Sequence, residues 1–427
     1  CRNYSCGWVG RQFIPLAHTA GVGGAAVRAS STCSSAQVSN KAPWTADLFA
    51  VGLHADFCVD RDLSMVQMWV IKRELARSVK HLKFPLYFIS APIQRYLHDR
   101  SKSQKIRLSP GFQPRGAQLA LYLLHQEDGL LASTFSTCQH LAAKGFSTLI
   151  VSNTPLSAAD RQALAPYCFA MIERPNFGYD FGGYRDGILW LLESPELVTH
   201  LLLLNDSVWF PTLSGEDFLA QMLASDCDLY GAIMSQRKRH VNDRYVQSYA
   251  FAFSGKLVRA PLFKRYWQRL NLQTDREWTI RHCERKMTGV FRSAGYKVGA
   301  RWDFSDLERA LAQLSDADLI SVLQLEAKLE QKRGEVIGPL ISRHGQIGWR
   351  AEAEAYINSP SFRKFILLLH PSVWLPLNFP FLKKSKERRF AQHRPYFIQS
   401  IGPQCNSVML AEIERWDCTR PMLRKHV

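Results

Sequence analysis

The chain has 427 residues, 46% of them hydrophobic and 21% charged, a globular composition that excludes intrinsic disorder over most of its length and allows one large α/β domain with appendages. A formal net charge of +17 suits an anionic partner: nucleic acid, an acidic membrane face or a phosphorylated substrate. The ten cysteines show no C-x-x-C pair and no zinc spacing, no apolar run reaches the roughly 20 residues that a bilayer span needs, and no secretory signal is visible, so a cytoplasmic, reducing location is expected.

The first methionine is Met65, and residues 20–40 are rich in Ala, Gly and Ser without hydrophobic period. Residues 1–64 therefore read as a disordered or non-native leader, and 65–115 as an N-terminal helical extension. Within the latter, Met65 to Leu75 has a helical pattern, with Lys72, Arg73, Arg77, Lys80 and Lys83 along it. That suits either a packed helix with a solvated basic face or an interfacial one.

From Gln118 the pattern alternates. Leu119–Leu124 is a continuous apolar run, as a strand buried on both faces requires. Leu131, Phe135, Cys138 and Ala142 follow at helical spacing and stop at Lys144-Gly145. Thr148–Val151 is the second strand, and Ser157 with Asp160 three residues on gives a capping box for the next helix. Phe169–Ile172, His200–Leu204 and Leu229–Ile233 complete five predicted strands. Strand and helix at this spacing predict a Rossmann-like α/β domain over 116–303 with a mostly parallel sheet, and such sheets bind ligands beyond the carboxyl ends of their strands.

Two loops lie there. In Arg174-Pro175-Asn176-Phe177-Gly178-Tyr179-Asp180-Phe181-Gly182-Gly183-Tyr184 the glycines permit positive φ and close backbone approach. The helix that follows offers free N–H groups to an anion such as a diphosphate, with Arg174 expected to add charge. The loop has no G-x-G-x-x-G spacing, which disfavours a nicotinamide cofactor. Asn205-Asp206-Ser207 follows four leucines directly. A carboxylate at the end of a central buried strand must be paired or metal-bound, and a D-x-D element at this point would hold Mg²⁺ or Mn²⁺ against a diphosphate. An Asx turn capping the next segment is the plain alternative.

Taken together, Asn176 to Tyr184, then Leu203-Leu204-Asn205-Asp206-Ser207-Val208 with Pro211, then Gln247-Ser248-Tyr249, resemble the rhamnan synthesis protein F family of polysaccharide and lipopolysaccharide O-chain synthesis. The resemblance covers about Leu119 to Trp302 and returns weakly at Phe379-Pro380-Phe381-Leu382-Lys383-Lys384. It implies a GT-A-like glycosyltransferase that takes a nucleotide-sugar donor and a glycan or lipid-linked glycan acceptor. It further implies that Asn176, Gly178 and Asp180 line the donor pocket and that Asn205 and Asp206 occupy the D-x-D position. His240, Gln247 and Ser248 would lie near the sugar or acceptor, and Glu284 would match an acidic position on a later helix. Ser207 departs from the D-x-D pattern, so either a divalent cation would rest on Asp206 alone or no metal is needed.

An inverting transfer needs a base for the acceptor hydroxyl, for which Glu284, Asp180 and Asp228 are the candidates, and a stabiliser for the departing diphosphate. Residues 304–427 read as a helical C-terminal region. There the apolar segment Phe362–Phe381, followed by Lys383, Lys384, Lys386, Arg388 and Arg389, suits either core docking or peripheral contact with an anionic inner membrane. No zinc, helix-turn-helix or aromatic ribonucleoprotein motif supports specific nucleic-acid binding. A catalytically silent GT-A-like domain that serves polysaccharide assembly stays open because of Ser207.

Overall fold

Leu119, Leu121 and Leu123 face one side of a strand and Ala120, Tyr122 and Leu124 the other, and all six are buried in two separate apolar cores. That strand is the middle of a sheet that divides the molecule. The computed structural model describes residues 85–419, apart from 195–196, 237–243, 360–361 and 363–365. The predicted leader, the basic helix Met65–Lys83 and His240 lie outside the described residues.

The strands are β1 (Arg107–Pro110), β2 (Gln118–Leu124), β3 (Ser147–Ser152), β4 (Ala170–Glu173), β5 (His200–Asn205), β6 (Val208–Trp209), β7 (Leu229–Gln236), β8 (Arg244–Val246), β9 (Ala250–Ser254), β10 (Val298–Trp302) and β11 (Leu382–Lys383). The main sheet runs β1-β4-β3-β2-β5-β9-β7-β10, with β8 paired to β7. The ladders β4–β3, β3–β2, β2–β5 and β7–β10 are parallel. β9 is inserted antiparallel between β5 and β7, and β1 closes the β4 edge antiparallel. The fold is thus α/β with a largely parallel sheet, as expected. The five apolar runs are all strands, and the Ser157–Asp160 capping box and the Gly145 stop (φ +83°) are both present.

The sequence reading missed β9. Its sequence Ala250-Phe251-Ala252-Phe253 sends alanines into one core and phenylalanines into the other, so both faces are buried and no alternation of polarity marks it.

Beyond β10 the chain is helical, as expected, except for β11, in segments that include Phe304–Ala312, Asp316–Leu329, Gln331–Ser342, Trp349–Asn358, Arg388–Ile401 and Ser407–Thr419. These fold back on the sheet face formed by Ala120, Tyr122 and Leu124 and share its core. Phe362, Leu367, Leu368, Leu369, Val373, Trp374, Phe379 and Phe381 are buried there. Of the two readings of this apolar segment the structure takes core docking, because these side chains are spent inside the protein and not presented to lipid. No helix among the described residues is long and apolar enough to cross a membrane.

The helix Tyr179–Leu191 lies on the other face, close against β2. A Cβ at Gly183 would meet Leu123 Cδ1 at 2.3 Å, and one at Gly187 would meet Leu121 Cδ1 at 2.5 Å. At Gly182 it would meet the Phe177 carbonyl oxygen at 1.9 Å. These glycines serve helix-on-sheet and helix-on-loop contact; for Gly182 and Gly183 this replaces the approach to a ligand that the sequence suggested. Overpacking a close-packed site costs about 1–3 kcal/mol. Gly182→Ala is expected at the top of that range, since a backbone oxygen cannot rotate away. Gly187→Ala is expected near the bottom, because a leucine end can yield and alanine regains about 1 kcal/mol of helix propensity. Urea unfolding of the two variants checks this, and wild-type stability in Gly182→Ala would refute it.

Candidate functional site

The loop after β4 turns into its helix through two left-handed residues, Gly178 (φ +77°) and Tyr179 (φ +50°). Leu272 fills the space beside Gly178, where a Cβ would meet its side chain at 3.0 Å. Beneath the loop lies Arg174. Its Nε donates to Asp186 Oδ2 (2.7 Å), one terminal nitrogen to Asn153 Oδ1 (2.6 Å) and the other to the Phe177 carbonyl (2.7 Å). The Arg174 and Asp186 side chains are both 0% exposed. All three guanidinium nitrogens are therefore spent inside the protein, and Arg174 is corrected from a ligand for phosphate to the post on which the loop is built. Gly178 supplies the turn and is buried, while Asn176 is exposed; neither borders the cleft described below.

Asp180 sits in the first turn of the helix, and its Oδ2 accepts a hydrogen bond from Asn205 Nδ2 (3.0 Å). Asn205 ends β5 and is buried. Its Oδ1 accepts from the Ser207 amide (3.2 Å) and, at very short range, from the Ser207 hydroxyl. The Asx turn expected as the plain alternative is therefore present, made by Asn205. Asp206 Oδ2 accepts from the His125 amide (2.8 Å) and from Gln126 Nε2 (3.0 Å), at the carboxyl end of neighbouring β2.

Two more segments close on this turn. Thr279–Glu284 is a π-helical turn, a form concentrated at functional sites, and Glu284 Oε1 accepts the Ser248 amide (3.1 Å). Gln247 donates to Ser235 Oγ (2.6 Å), and Tyr184 donates to the Ser248 carbonyl (2.7 Å). From the far end of the chain comes β11, paired antiparallel with β6 so that Lys383 stands opposite Val208. The Lys384 amide bonds the Ser207 carbonyl (2.9 Å), and Lys383 Nζ donates to Ser207 Oγ (2.7 Å).

The result is a cleft of about 700 Å³ beyond the carboxyl end of β5. Asp180, Asn205, Gln247, Ser248 and Glu284 of the predicted site residues line it, brought together from four separate segments. Among the described residues two carboxylates, Asp180 and Glu284, and five cations, Arg276, Arg285, Lys383, Lys384 and Arg389, border it. Burial raises both carboxyl pKa values above the ordinary range; Asp206 adds to the rise at Asp180 and Asp180 to that at Glu284, and Lys383 opposes the shift in both. Burial lowers the Lys383 ammonium, against the pull of Asp180, Glu284 and Asp206. Arg285 Nε is buried with no hydrogen-bond partner among the described residues.

Asp228 is corrected as a candidate base. It precedes β7 at the opposite end of the sheet, where it takes bonds from Ser254 Oγ (3.1 Å), Lys256 (3.2 Å) and the Lys297 amide (3.0 Å). The basic cluster Lys383 to Arg389 is corrected in part. Lys383 and Arg389 border the cleft, and Lys384 is buried with its ammonium on Ser133 Oγ (2.7 Å) and near Glu412 (3.6 Å). Arg276, Arg285 and Lys383 were not picked out by sequence reasoning. For Lys383 a signal existed, the weak return of the family pattern at Phe379–Lys384.

A divalent ion at Asp206 fits this arrangement poorly. The third position of the element is a hydroxyl already bonded to an ammonium, and one oxygen of Asp206 is committed to two N–H donors. Among the described residues no group of three or more His, Cys, Asp or Glu side chains is gathered at metal-binding distance.

Comparison with known proteins gives the class. The sequence profile of rhamnan synthesis protein F matches residues 148–320. The uncharacterized protein y4gN of Sinorhizobium fredii is 30% identical over 358 residues, covering 83% of this chain and 93% of that one. Virulence protein VirA of Vibrio anguillarum is 28% identical over 149 residues, 34% of this chain and 46% of its own. Among solved structures, mannosyltransferase PcManGT of Pyrobaculum calidifontis, in complex with GDP-Man and Mn²⁺, aligns with 78% of this chain and 95% of its own at 10% identity and TM-score 0.29. The 4-diphosphocytidyl-2C-methyl-D-erythritol synthase of Anaerococcus prevotii aligns with 44% and 87% at 14% identity and TM-score 0.27. These structures are remote, and the assignment rests on sequence: the chain belongs to the rhamnan synthesis protein F family.

Burial opposes ionisation of Asp186, but His98 Nε2 at 2.9 Å and the charges of Arg174 and Lys102 outweigh it and hold the carboxyl well below the carboxylate range. A depressed carboxyl stabilises above its unfolded pKa, near 3.9, and that stability is lost as pH falls toward the folded value. Asp186→Asn is expected to cost about 3–5 kcal/mol at neutral pH, because it strands a buried cation. The gap to wild type should narrow below about pH 4. Urea titrations at neutral and acid pH measure both, and a neutral-pH stability equal to wild type would sink the assignment.

Proposed function

We propose that the chain is a glycosyltransferase that moves a sugar from a nucleotide-diphosphate donor to a hydroxyl of a growing surface glycan, lipid-linked or free. The observation that carries this reading is the convergence of Asp180, Asn205, Glu284 and Lys383 in one cation-rimmed cleft beyond the carboxyl end of a central parallel strand. Family membership supports rhamnan-type polysaccharide as the product class and rhamnose as the sugar.

In this reading the diphosphate lies against Lys383, Arg276 and Arg285, which neutralise charge as it leaves. Glu284 takes the proton of the acceptor hydroxyl. The acceptor oxygen bonds to the anomeric carbon, the bond from that carbon to the phosphate oxygen breaks, and the nucleoside diphosphate departs with the electron pair. Asp180 holds Asn205, and through it Ser207, so the turn beside the diphosphate keeps its shape. A carboxyl raised by burial suits a base near neutral pH better than an ordinary one.

The test is transfer and binding with a panel of dTDP-, UDP- and GDP-sugars. Glu284→Gln is expected to lower transfer by about 10²–10⁴-fold while nucleotide affinity is kept. Wild-type transfer should fall toward acid along a limb lying above the ordinary glutamate value of about 4.3, as Glu284, its carboxyl raised by burial and by Asp180, takes up its proton. Glu284→Gln should change that limb. Sugar-nucleotide binding without transfer to a proper acceptor would favour the silent-domain reading that Ser207 keeps open.

A further inference from the structure

We propose that Lys383 occupies the place a divalent ion takes in metal-dependent nucleotide-sugar transferases, so that this chain holds its donor's diphosphate with a fixed ammonium and needs no metal to do so. The inference rests on the transferase reading and adds the means by which the leaving group is bound.

Position comes first. β11 is hydrogen-bonded to β6 immediately after the Asn205–Ser207 turn, with Lys383 opposite Val208 and the Lys384 amide on the Ser207 carbonyl. The lysine is therefore held by backbone, not by a flexible tail. Its Nζ lies 2.7 Å from the Ser207 hydroxyl, the third position of the element that would otherwise grip a metal. The Ser207 hydroxyl already gives its proton to Asn205 Oδ1 and one lone pair to the ammonium, and an ion beside Asp206 and Ser207 would stand against a fixed positive charge.

Chemistry comes second. An ammonium carries three N–H donors, and one is given to Ser207. Asp180, Glu284 and Asp206 all act electrostatically to keep the group charged where burial would discharge it. A donor's diphosphate brings the counter-charge and the acceptors for the remaining N–H groups. Arg285 borders the same cleft with a buried Nε that has no hydrogen-bond partner among the described residues, a second donor suited to an anion.

The test is calorimetric titration of the full chain with inorganic pyrophosphate, UDP, GDP and dTDP, each in excess EDTA and again with Mn²⁺. Wild type, Lys383→Met and Lys383→Arg are compared, each with its thermal midpoint; Lys383→Gln replaces the methionine variant if that fails to fold. Binding of at least one nucleoside diphosphate in EDTA, weakened about 10- to 100-fold by Lys383→Met, as loss of a charge-assisted hydrogen bond predicts, and largely restored by Lys383→Arg, is the expected result. Binding that EDTA abolishes and Mn²⁺ restores, equally in wild type and Lys383→Met, would overturn the inference and leave the transferase reading standing. Absence of binding by every probe in both media, with folded protein, would overturn both.

Discussion

The buried pair of Arg174 and Asp186 is the constraint on which the site depends. Arg174 grips the end of β3 through Asn153, its own loop through the Phe177 carbonyl and the next helix through Asp186. Asp186 also receives His98 from the helix spanning 85–105, and neighbouring Arg185 bonds Asp99 of that helix through two nitrogens (2.6 and 2.7 Å). Two buried charges are costly unless they are paired, and here Asn153, the Phe177 carbonyl and His98 hydrogen-bond the pair from three further segments, while Asp186 Oδ1 has only the charges of Lys102 and Arg185 at 3.5 and 3.7 Å. That demand fixes where the helix Tyr179–Leu191 begins, and with it the position of Asp180.

The site built on that base sets like charges close and settles them with opposite ones. Asp206 raises the carboxyl pKa of Asp180 and Asp180 raises that of Glu284, while the charge of Lys383 lowers both. Between them runs a polar chain from Lys383 through Ser207 and Asn205 to Asp180. Such a chain holds its members in single rotamers, which suits a pocket that must recognise a phosphate by geometry as well as by charge.

Much of this was legible in the sequence, for physical reasons. Strands buried on both faces must be apolar throughout, so Leu119–Leu124 and His200–Leu204 announced themselves. The residues just beyond them were found because parallel sheets put ligands there, and Asp180, Asn205 and Glu284 do meet. Arg174 was misread because a sequence does not tell a guanidinium aimed at solvent from one turned inward. Gly182 and Gly183 were misread because close packing and close ligand approach ask for the same residue. Lys383 was read with its basic neighbours as part of a surface patch, since only the β6–β11 pairing reveals that one lysine of the run enters the cleft. β9 was missed because alanine and phenylalanine alternate in size, not in polarity.

The pairing of β11 with β6 brings Lys383 to Ser207, 176 positions earlier in the chain. During synthesis the sheet, its glycine-packed helix and both carboxylates leave the ribosome long before the segment that completes their charge balance. Until that segment docks, Asp180 and Glu284 lack the charge of Lys383 and have only those of Arg276 and Arg285 beside the cleft. The competence of the cleft is therefore a property of the finished chain: the segment that brings Lys383 to the site also leads into the last two helices, whose Phe397, Ile401, Met409 and Trp416 cover one face of the sheet.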